Sequence, residues 1–450
     1  MGSDNWPEVR LGDHVDLLTG FPFKSAEFTD DAQDVRLVRG DNVVQGRFRW
    51  DGVRRWPRTD VDEFGNYLLE PGDVTLAMDR PWVEAGLKYA AVSAEDQPCL
   101  LVQRVSRLRG TNGLSTRYLR YVIGSPAFTE YVLAVQTGTA VPHISGRQIA
   151  DFRFALPSVA EQERIADVLG MLDEKIELNR RVNRTLESIA RAIFKSWFVD
   201  FDPMRKKMEG GRVRPPSGPA CFFPGEFRES PVGLIPNGWQ CRPLGDVAQF
   251  TKGRSYERAE LGPSETALVT LKSFRRGGGY REDGLKDYVG PHRPEQVVDV
   301  GDVLVAHTDV TQAAEVLGRA VRVRSSSRHK TLVASLDTVV VRPTGDHLTR
   351  EFLFFALDND RFRDHAYGYS NGTTVLHLGA KALPEFPLVV PPAGLVAAFS
   401  GIVESLLARA DLLGEENASL ATVRDRLLPE LMAGRLPPRR TAVVAGSTET

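Results

Sequence analysis

Residues 160–197 read AEQERIADVLGMLDEKIELNRRVNRTLESIARAIFKSW. Stepping through them alternately by four and three gives Ile165, Leu169, Leu172, Ile176, Asn179, Asn183, Leu186, Ala190, Ile193 and Trp197. This is a heptad seam. An average period of 3.5 keeps these side chains on one narrow stripe that a lone helix cannot bury, so a helical partner is required. Adding 234 to each number gives Phe399, Val403, Leu406, Ala410, Leu413, Asn417, Leu420, Arg424, Leu427 and Leu431, so the partner is in the same chain. Asn183 and Asn417 occupy equivalent seam positions. A buried Asn there fixes register at some cost in stability; exposure near a helix junction is the plainer alternative.

The match continues upstream at the same offset: Tyr118 with Phe352, Leu119 with Leu353, Phe128 with Phe362, Gly138-Thr139 with Gly372-Thr373, His143 with His377, Phe152 with Phe386 and Pro157 with Pro391. Near the start the offset is 233, relating Leu11-Gly12-Asp13 and Gly20 to Leu244-Gly245-Asp246 and Gly253, and Ala26-Glu27 to Ala259-Glu260. Two copies of a globular part followed by a long helix are expected to assemble about a pseudo-twofold axis. An axis crossing the helices makes them antiparallel.

The expected class is α+β: two repeated, mostly-β domains separated by an antiparallel coiled coil. The first domain covers 1–157, with strands at Val35 to Val38, Asp73 to Ala77 and Leu100 to Val105 and a helix over Thr116 to Val135. Ser158 followed by Glu161 forms a capping box that opens the long helix, and 158–203 is the first helical spacer. Its end, Ser196-Trp197-Phe198-Val199-Asp200-Phe201-Asp202-Pro203, reads as an apolar plug seating the helix against a globular domain. A Gly-, Pro-, Arg- and Lys-containing linker covers 204–230. The second domain covers 231–391, with Ile235-Pro236-Asn237-Gly238-Trp239 echoing Asn5-Trp6. Its strands fall at Ala267 to Leu271, Val303 to Ala306 and Leu336 to Val341, and a helix at Thr349 to about Ala366. The second spacer helix covers 392–436, with a break expected at Pro429 because proline removes a helix hydrogen bond and clashes. Residues 437–450 read as a disordered tail.

A chain of 450 residues accommodates two domains with their own cores, and a net charge of −2 gives no global sign of a nucleic-acid partner. Cys99, Cys221 and Cys241 lack metal-type spacing and leave an odd thiol, which favours a reducing compartment. No basic leader with an apolar core opens the sequence, and the apolar run after Pro392 is interrupted by Ser400 and Glu404; a cytoplasmic location is expected.

Catalytic signatures are missing from the sequence. Gly277-Gly278-Gly279 is followed by Tyr280 and Arg281, not by the Lys-Ser/Thr of a phosphate loop. The Asn/Asp-Pro-Pro-aromatic run of an amino-methyltransferase is absent, since Pro391-Pro392 and Pro437-Pro438 have the wrong flanks. His143 and His377 sit beside Gly-Thr pairs and read as local strand histidines, with no carboxylate or cysteine cluster close by in sequence to make a metal site.

Charge patterning says more. Arg36, Arg39, Arg47, Arg49, Arg54, Arg55 and Arg58 face only Asp41 and Asp51, with Phe48, Trp50 and Trp56 interleaved. Basic groups with aromatics between them suit a phosphate-lined groove, and arginine reads guanine bidentately. Arg104 to Arg120 holds five arginines and no acid. The second copy offers Lys272, Arg275, Arg276, Arg281, Lys286 and Arg293, then Arg319, Arg322, Arg324, Arg328, His329 and Lys330. A single patch is commonly a solvated face; equivalent patches in both copies favour a binding surface.

The heptad helices, Leu156-Pro157 running into Glu161-Gln162-Glu163-Arg164-Ile165-Ala166, the segment Ser196 to Pro203, and Leu427-Leu428-Pro429-Glu430-Leu431-Met432-Ala433-Gly434 together resemble the specificity subunit of type I restriction-modification systems. Ile235 to Trp239 and the Pro71-Gly72-Asp73 and Gly301-Asp302 turns fit as well. The resemblance covers nearly the whole chain. It implies two target-recognition domains, each reading half of a bipartite double-stranded DNA site. It also implies two docked modification subunits that bring S-adenosylmethionine and the adenine methyltransferase site, with restriction (motor-nuclease) subunits able to join. This chain would bind no cofactor and no metal and carry no catalysis. The Glu-Gln-Glu run has no counterpart in the second helix, where Gly394-Leu395-Val396 stands, so docking would differ between the two sides.

A helix of roughly 38 residues at about 1.5 Å per residue spans ~55 Å, more than one ~34 Å turn of DNA, so the pair would act as a ruler. Two other classes compete with this reading. A coiled-coil protein adaptor would show no salt-dependent DNA affinity. A self-contained DNA-modifying enzyme would act on DNA supplied with Mg²⁺ and S-adenosylmethionine.

Overall fold

The computed structural model describes residues 6–138, 140–209, 222–309, 314–372 and 375–436. It divides into two units: residues 1–176 with 419–450, and residues 177–418. Each long helix is shared, so each unit holds one part of both. The expected tail, residues 210–221 of the linker with Cys221 among them, and the two Gly-Thr threonines lie outside the described residues.

In the first unit a five-stranded sheet runs in the order Val15–Thr19, Val105–Gly110, Val74–Ala77, Tyr89–Ala91, Val43–Phe48. Its pairs are antiparallel except the last, which is parallel. A smaller sheet pairs Val35–Val38 in parallel with Cys99–Leu101 and antiparallel with Arg55–Trp56. The single strand expected from Leu100 to Val105 is two, because the chain turns at Arg104, whose φ is +69°. The helix expected over Thr116 to Val135 is also two, Thr116–Ile123 and Pro126–Val135. Ser125 caps the second by accepting from the Phe128 N–H at 3.1 Å, and Pro126 stands where a helix needs no N–H.

Ser158 and Glu161 form the expected capping box, with the Ser158 N–H donating to Glu161 Oε2 at 3.2 Å. The helix they open, Val159–Phe194, contributes Ile165 and Leu169 to the core of the first unit, among Tyr118, Leu119 and Phe128. Leu428 and Leu431 of the second long helix, Ala393–Met432, join that core. Pro429 lies inside this helix and does not break it. At the last turn the missing N–H costs one bond, and burial of Leu428 and Leu431 on either side outweighs it.

The second unit repeats the plan. Ala248–Lys252, Thr338–Pro343, Val303–Ala306 and Ala320–Arg322 form an antiparallel sheet in that order, and Thr266–Val269 pairs in parallel with Thr331–Ala334. Two helices, Arg350–Leu357 and Asp360–Gly368, replace the single one expected, with Asn359 capping the second. The linker is narrower than expected, since Asp202–Met208 is helical and Phe227–Arg228 pairs with Ile235–Pro236. Phe194, Phe198 and Phe201 pack among Trp239, Phe352 and Phe399, so the aromatic run is the plug expected.

Within the second unit Asn179 lies beside Asn417 and Phe194 beside Phe399, so residue numbers rise in one helix as they fall in the other: the pairing is antiparallel. Asp173 beside Arg424 and Ile165 in the core of Leu431 show the same sense in the first unit. Of the seam, Ile176, Val403 and Leu413 are buried, while Leu172, Leu186, Leu406 and Leu420 are half-buried.

Each sheet is pinned by a duplicated ion pair. The turns at Gly72 (φ +97°) and Gly301 (φ +94°) need glycine's left-handed backbone and place Asp73 and Asp302 at the buried starts of Val74–Ala77 and Val303–Ala306. Asp73 accepts from Arg109 and from the Glu70 N–H; Asp302 accepts from Arg342 and from the Asp299 N–H. Loss of one partner strands a buried charge. Asp302→Ala should lower unfolding stability by about 3–5 kcal/mol, and Asp73→Ala should be destabilising in the same way. Chemical denaturation followed by circular dichroism checks both.

Candidate nucleic-acid interface

Most of the basic residues singled out from sequence are engaged by nearby loops and acids. Phe48 and Trp56 are buried core residues and do not line a groove, while Trp50 is half-buried with its Nε1–H donating to Asp96 at 2.7 Å. The arginines beside them tie down neighbouring loops. Arg36 donates to the Glu95 carbonyl and lies over Trp50; Arg54 pairs with Asp30; Arg55 and Arg58 donate to the Asp34 and Gln33 carbonyls. Arg39 faces Asp41 at 3.7 Å, Arg49 donates to the Asp41 carbonyl, and Arg47 is also engaged.

The Arg104 to Arg120 run is spent largely on structure. Arg107 pairs with Asp16, Arg109 with Asp73, and Arg117 with Glu163 and Asp167 on the long helix. Arg120 and Tyr121 both reach Asp173, whose other oxygen accepts from Arg424 at 2.9 Å. Acids distant in sequence neutralise a run that looks purely basic.

Two second-copy candidates are held in ion pairs with distant acids. Arg322 Nη1 lies 2.7 Å from Asp411 Oδ2, each side chain only 13% exposed, and Arg324 pairs with Glu187. Both acids sit on the long helices, so these arginines dock the sheet on the helix pair within this unit. Lys272 is exposed; Arg276 pairs with Glu315, Arg281 with Asp283, Arg328 with Asp287 at 3.6 Å, and Lys330 with Glu265, while Arg275 is engaged. Asp283, held by Arg281, has its carboxyl below the usual range.

Sequence reading missed a polar edge at the end of Val74–Ala77. Asp79 Oδ1 lies 2.7 Å from His143 Nδ1, and Arg104 Nε lies 3.7 Å from Asp79 Oδ2. The carboxylate absent near His143 in sequence is supplied by a neighbouring strand. Arg80 and Trp82 are exposed beside it. Burial, with Arg49 and Arg80 nearby, holds the Lys88 ammonium below its usual value, although Asp41 acts the other way. The carboxylate gathers cations here that no linear run announces.

Among the described residues no group of three or more His, Cys, Asp and Glu is placed to hold a metal ion. Cys99 is buried, its thiol pushed up to about 12 by desolvation, and so is poorly suited to nucleophilic work.

The fold and these edges define a class: a duplicated sheet domain whose copies are each docked on paired helices, with polar loop edges exposed. Residues 3–188 match the family model described as the type I restriction modification DNA specificity domain. The type I restriction enzyme EcoAI specificity subunit of Escherichia coli is 35% identical over 39% of this chain, a match covering 29% of that subunit's own length. The HindI specificity subunit of Haemophilus influenzae is 24% identical over 96% of this chain and 100% of its own. A crystal structure of the type I restriction-modification S subunit from M. genitalium is similar at 16% identity, with a TM-score of 0.48, over 95% of this chain and 96% of that one. Residues 3–188 are thus similar to a type I restriction modification DNA specificity domain, and most of the chain is similar to type I restriction enzyme specificity subunits.

The docking role assigned to Arg322 separates stability from ligand binding. Arg322→Leu alone should cost about 1–3 kcal/mol, because Asp411 then keeps only Arg324, at 3.6 Å, and Arg322→Leu with Asp411→Leu should recover part of it, since Arg324 retains Glu187. Denaturation curves read the recovery. Neither variant should change the salt dependence of DNA affinity, because no phosphate contact is lost.

Proposed function

We propose that this chain is the DNA-reading subunit of a type I restriction-modification complex, each unit reading one block of a bipartite double-stranded site. The long helices set the number of unread base pairs between the blocks and dock two modification subunits. Those subunits bring S-adenosylmethionine and the adenine methyltransferase centre, and restriction subunits can join the assembly. The chain itself supplies recognition and no bond-making step, and works in the cytoplasm.

The observation that carries this reading is the duplication: the same order of four strands in the larger sheet, the same buried Asp–Arg pin and the same helix docking occur in both units. One repeated frame with two sets of exposed side chains suits two short blocks of different sequence. The apolar helix Ala393–Met432 is long and apolar enough by composition to cross a membrane, but its Leu395, Phe399 and Val403 are buried in the second unit's core. This burial suits a core helix.

With a near-neutral net charge, the isolated chain should bind DNA weakly, and affinity should rise when modification subunits are added. Filter binding across a salt series measures both, and tight binding by the chain alone at physiological salt contradicts the reading. Inserting one heptad into each long helix adds ~10 Å and should widen the unread gap by about three base pairs. Mapping of methylated adenines in a host carrying the lengthened chain with its modification subunit decides it; an unchanged gap rejects the ruler.

A further inference from the structure

The polar edge found in the first unit has a counterpart in the second, built on the same backbone bonds. In the first, the Met78 N–H donates to the Arg104 carbonyl at 2.8 Å and the Met78 carbonyl accepts from Ile144, while Thr137 and His143 exchange bonds. In the second, the His307 N–H donates to the Asp337 carbonyl at 2.7 Å, its carbonyl accepts from Leu378, and His377 lies opposite Asn371. Asp79 faces His143 as Thr308 faces His377. The frames therefore correspond residue by residue: Met78 with His307, Asp79 with Thr308, Arg104 with Asp337, Thr137 with Asn371, His143 with His377.

On this shared frame the side-chain chemistry is inverted. In the first unit one acceptor, Asp79, stands between two donors, His143 and Arg104. In the second the acid has moved to the place of Arg104, and Asp337 Oδ1 accepts from the Thr308 hydroxyl at 2.9 Å. His307 replaces Met78; burial, with Lys252 and His377 nearby, holds its imidazole below the usual value. Arg104 is 60% exposed, and Asn371 and His377 are exposed too. Arg80 (φ +44°) and Arg104 (φ +69°) both adopt the left-handed backbone that costs a residue with a side chain, and such positions concentrate at functional edges.

We infer that Asp79, Arg104 and His143 in the first unit, and Asp337, Asn371 and His377 in the second, read base edges, and that their inverted polarity makes the two half-sites different sequences. The assignment rests on the DNA-reading function proposed above and deepens it. Base pairs differ in the order of donors and acceptors they show in the major groove. Exchanging acid for base on a fixed frame changes which order is accepted without changing how the frame is held.

The test uses the full chain assembled with its modification subunits and a randomised duplex library, sequenced after selection. Arg104→Ala and Asp79→Asn should each lose about tenfold in preference at one or two base pairs of one block, leaving the other block and the gap intact. Asp337→Asn and His377→Ala should do the same to the other block only. If Asp79→Asn unfolds, as a thermal scan would reveal, the exposed Arg104→Ala carries the first arm. A wild type that selects a bipartite site while all four variants select the same site overturns this inference alone. Uniformly weaker binding with every base preference kept also overturns it, since that is the signature of phosphate contacts. A wild type that selects no sequence overturns the DNA-reading function and this inference with it.

Discussion

A heptad stripe is half of a core, and each unit supplies the other half in a different way. In the first, Ile165 and Leu169 meet Leu428 and Leu431, with Tyr118 and Phe128 filling in from the sheet domain. In the second, Phe194 and Phe198 meet Phe399 and Phe352 in an aromatic cluster. A fully buried Leu or Phe contributes about 1.5–3 kcal/mol. Because the helix faces enter the domain cores, neither unit can keep its sheet packing if its two helix segments part. Pairing of the helices and folding of the domains are one cooperative problem within each unit.

Charges then fix orientation where apolar contact is indifferent to it. Asp173 takes Arg120 from the sheet domain and Arg424 from the opposite helix, and Asp411 takes Arg322 and Arg324 from the sheet domain of the second unit. The polar layer Asn179–Asn417 adds register, since Asn179 Nδ2 donates to Asn417 Oδ1 at 3.1 Å and to Glu416 at 2.9 Å. Antiparallel pairing decides which asparagine faces which. Asn183 and Asn417 are equivalent in the repeat, yet Asn417 meets Asn179, and the buried Asn183 Oδ1 has no hydrogen-bond partner. A twofold relation maps equivalent residues onto each other without bringing them into contact.

The architecture was legible because periodicity survives in one dimension. The seam, its second copy, the capping box at Ser158 and the aromatic plug all depend on spacing along the chain, and all appear as expected. The helix breaks at Ser125 and Asn359 are local capping residues inside longer apolar patterns, and a cap of one residue interrupts the chain without interrupting the periodicity around it. The interface was barely legible. Charge runs report net sign over neighbours in sequence, whereas Arg107, Arg117, Arg322 and Arg324 are neutralised by Asp16, Glu163, Asp411 and Glu187 from distant segments. His143 has no acid near it in sequence, and its partner Asp79 arrives from just beyond a strand 64 residues away.

The strands Val74–Ala77 and Val303–Ala306 separate holding from reading. Each is buried throughout, begins at the pinned aspartate and ends at the polar edge. A rigid four-residue strand transmits little of a side-chain change at one end to the other, because its backbone is bonded on both sides by neighbouring strands. Met78 and His307 can therefore differ, and Arg104 and Asp337 can carry opposite charge, while the same carbonyls accept the same N–H groups. Duplication of such an element copies the scaffold whole and leaves its exposed end free to diverge. Stability resides in the aspartate at the strand's start, and chemistry can be rewritten at its finish.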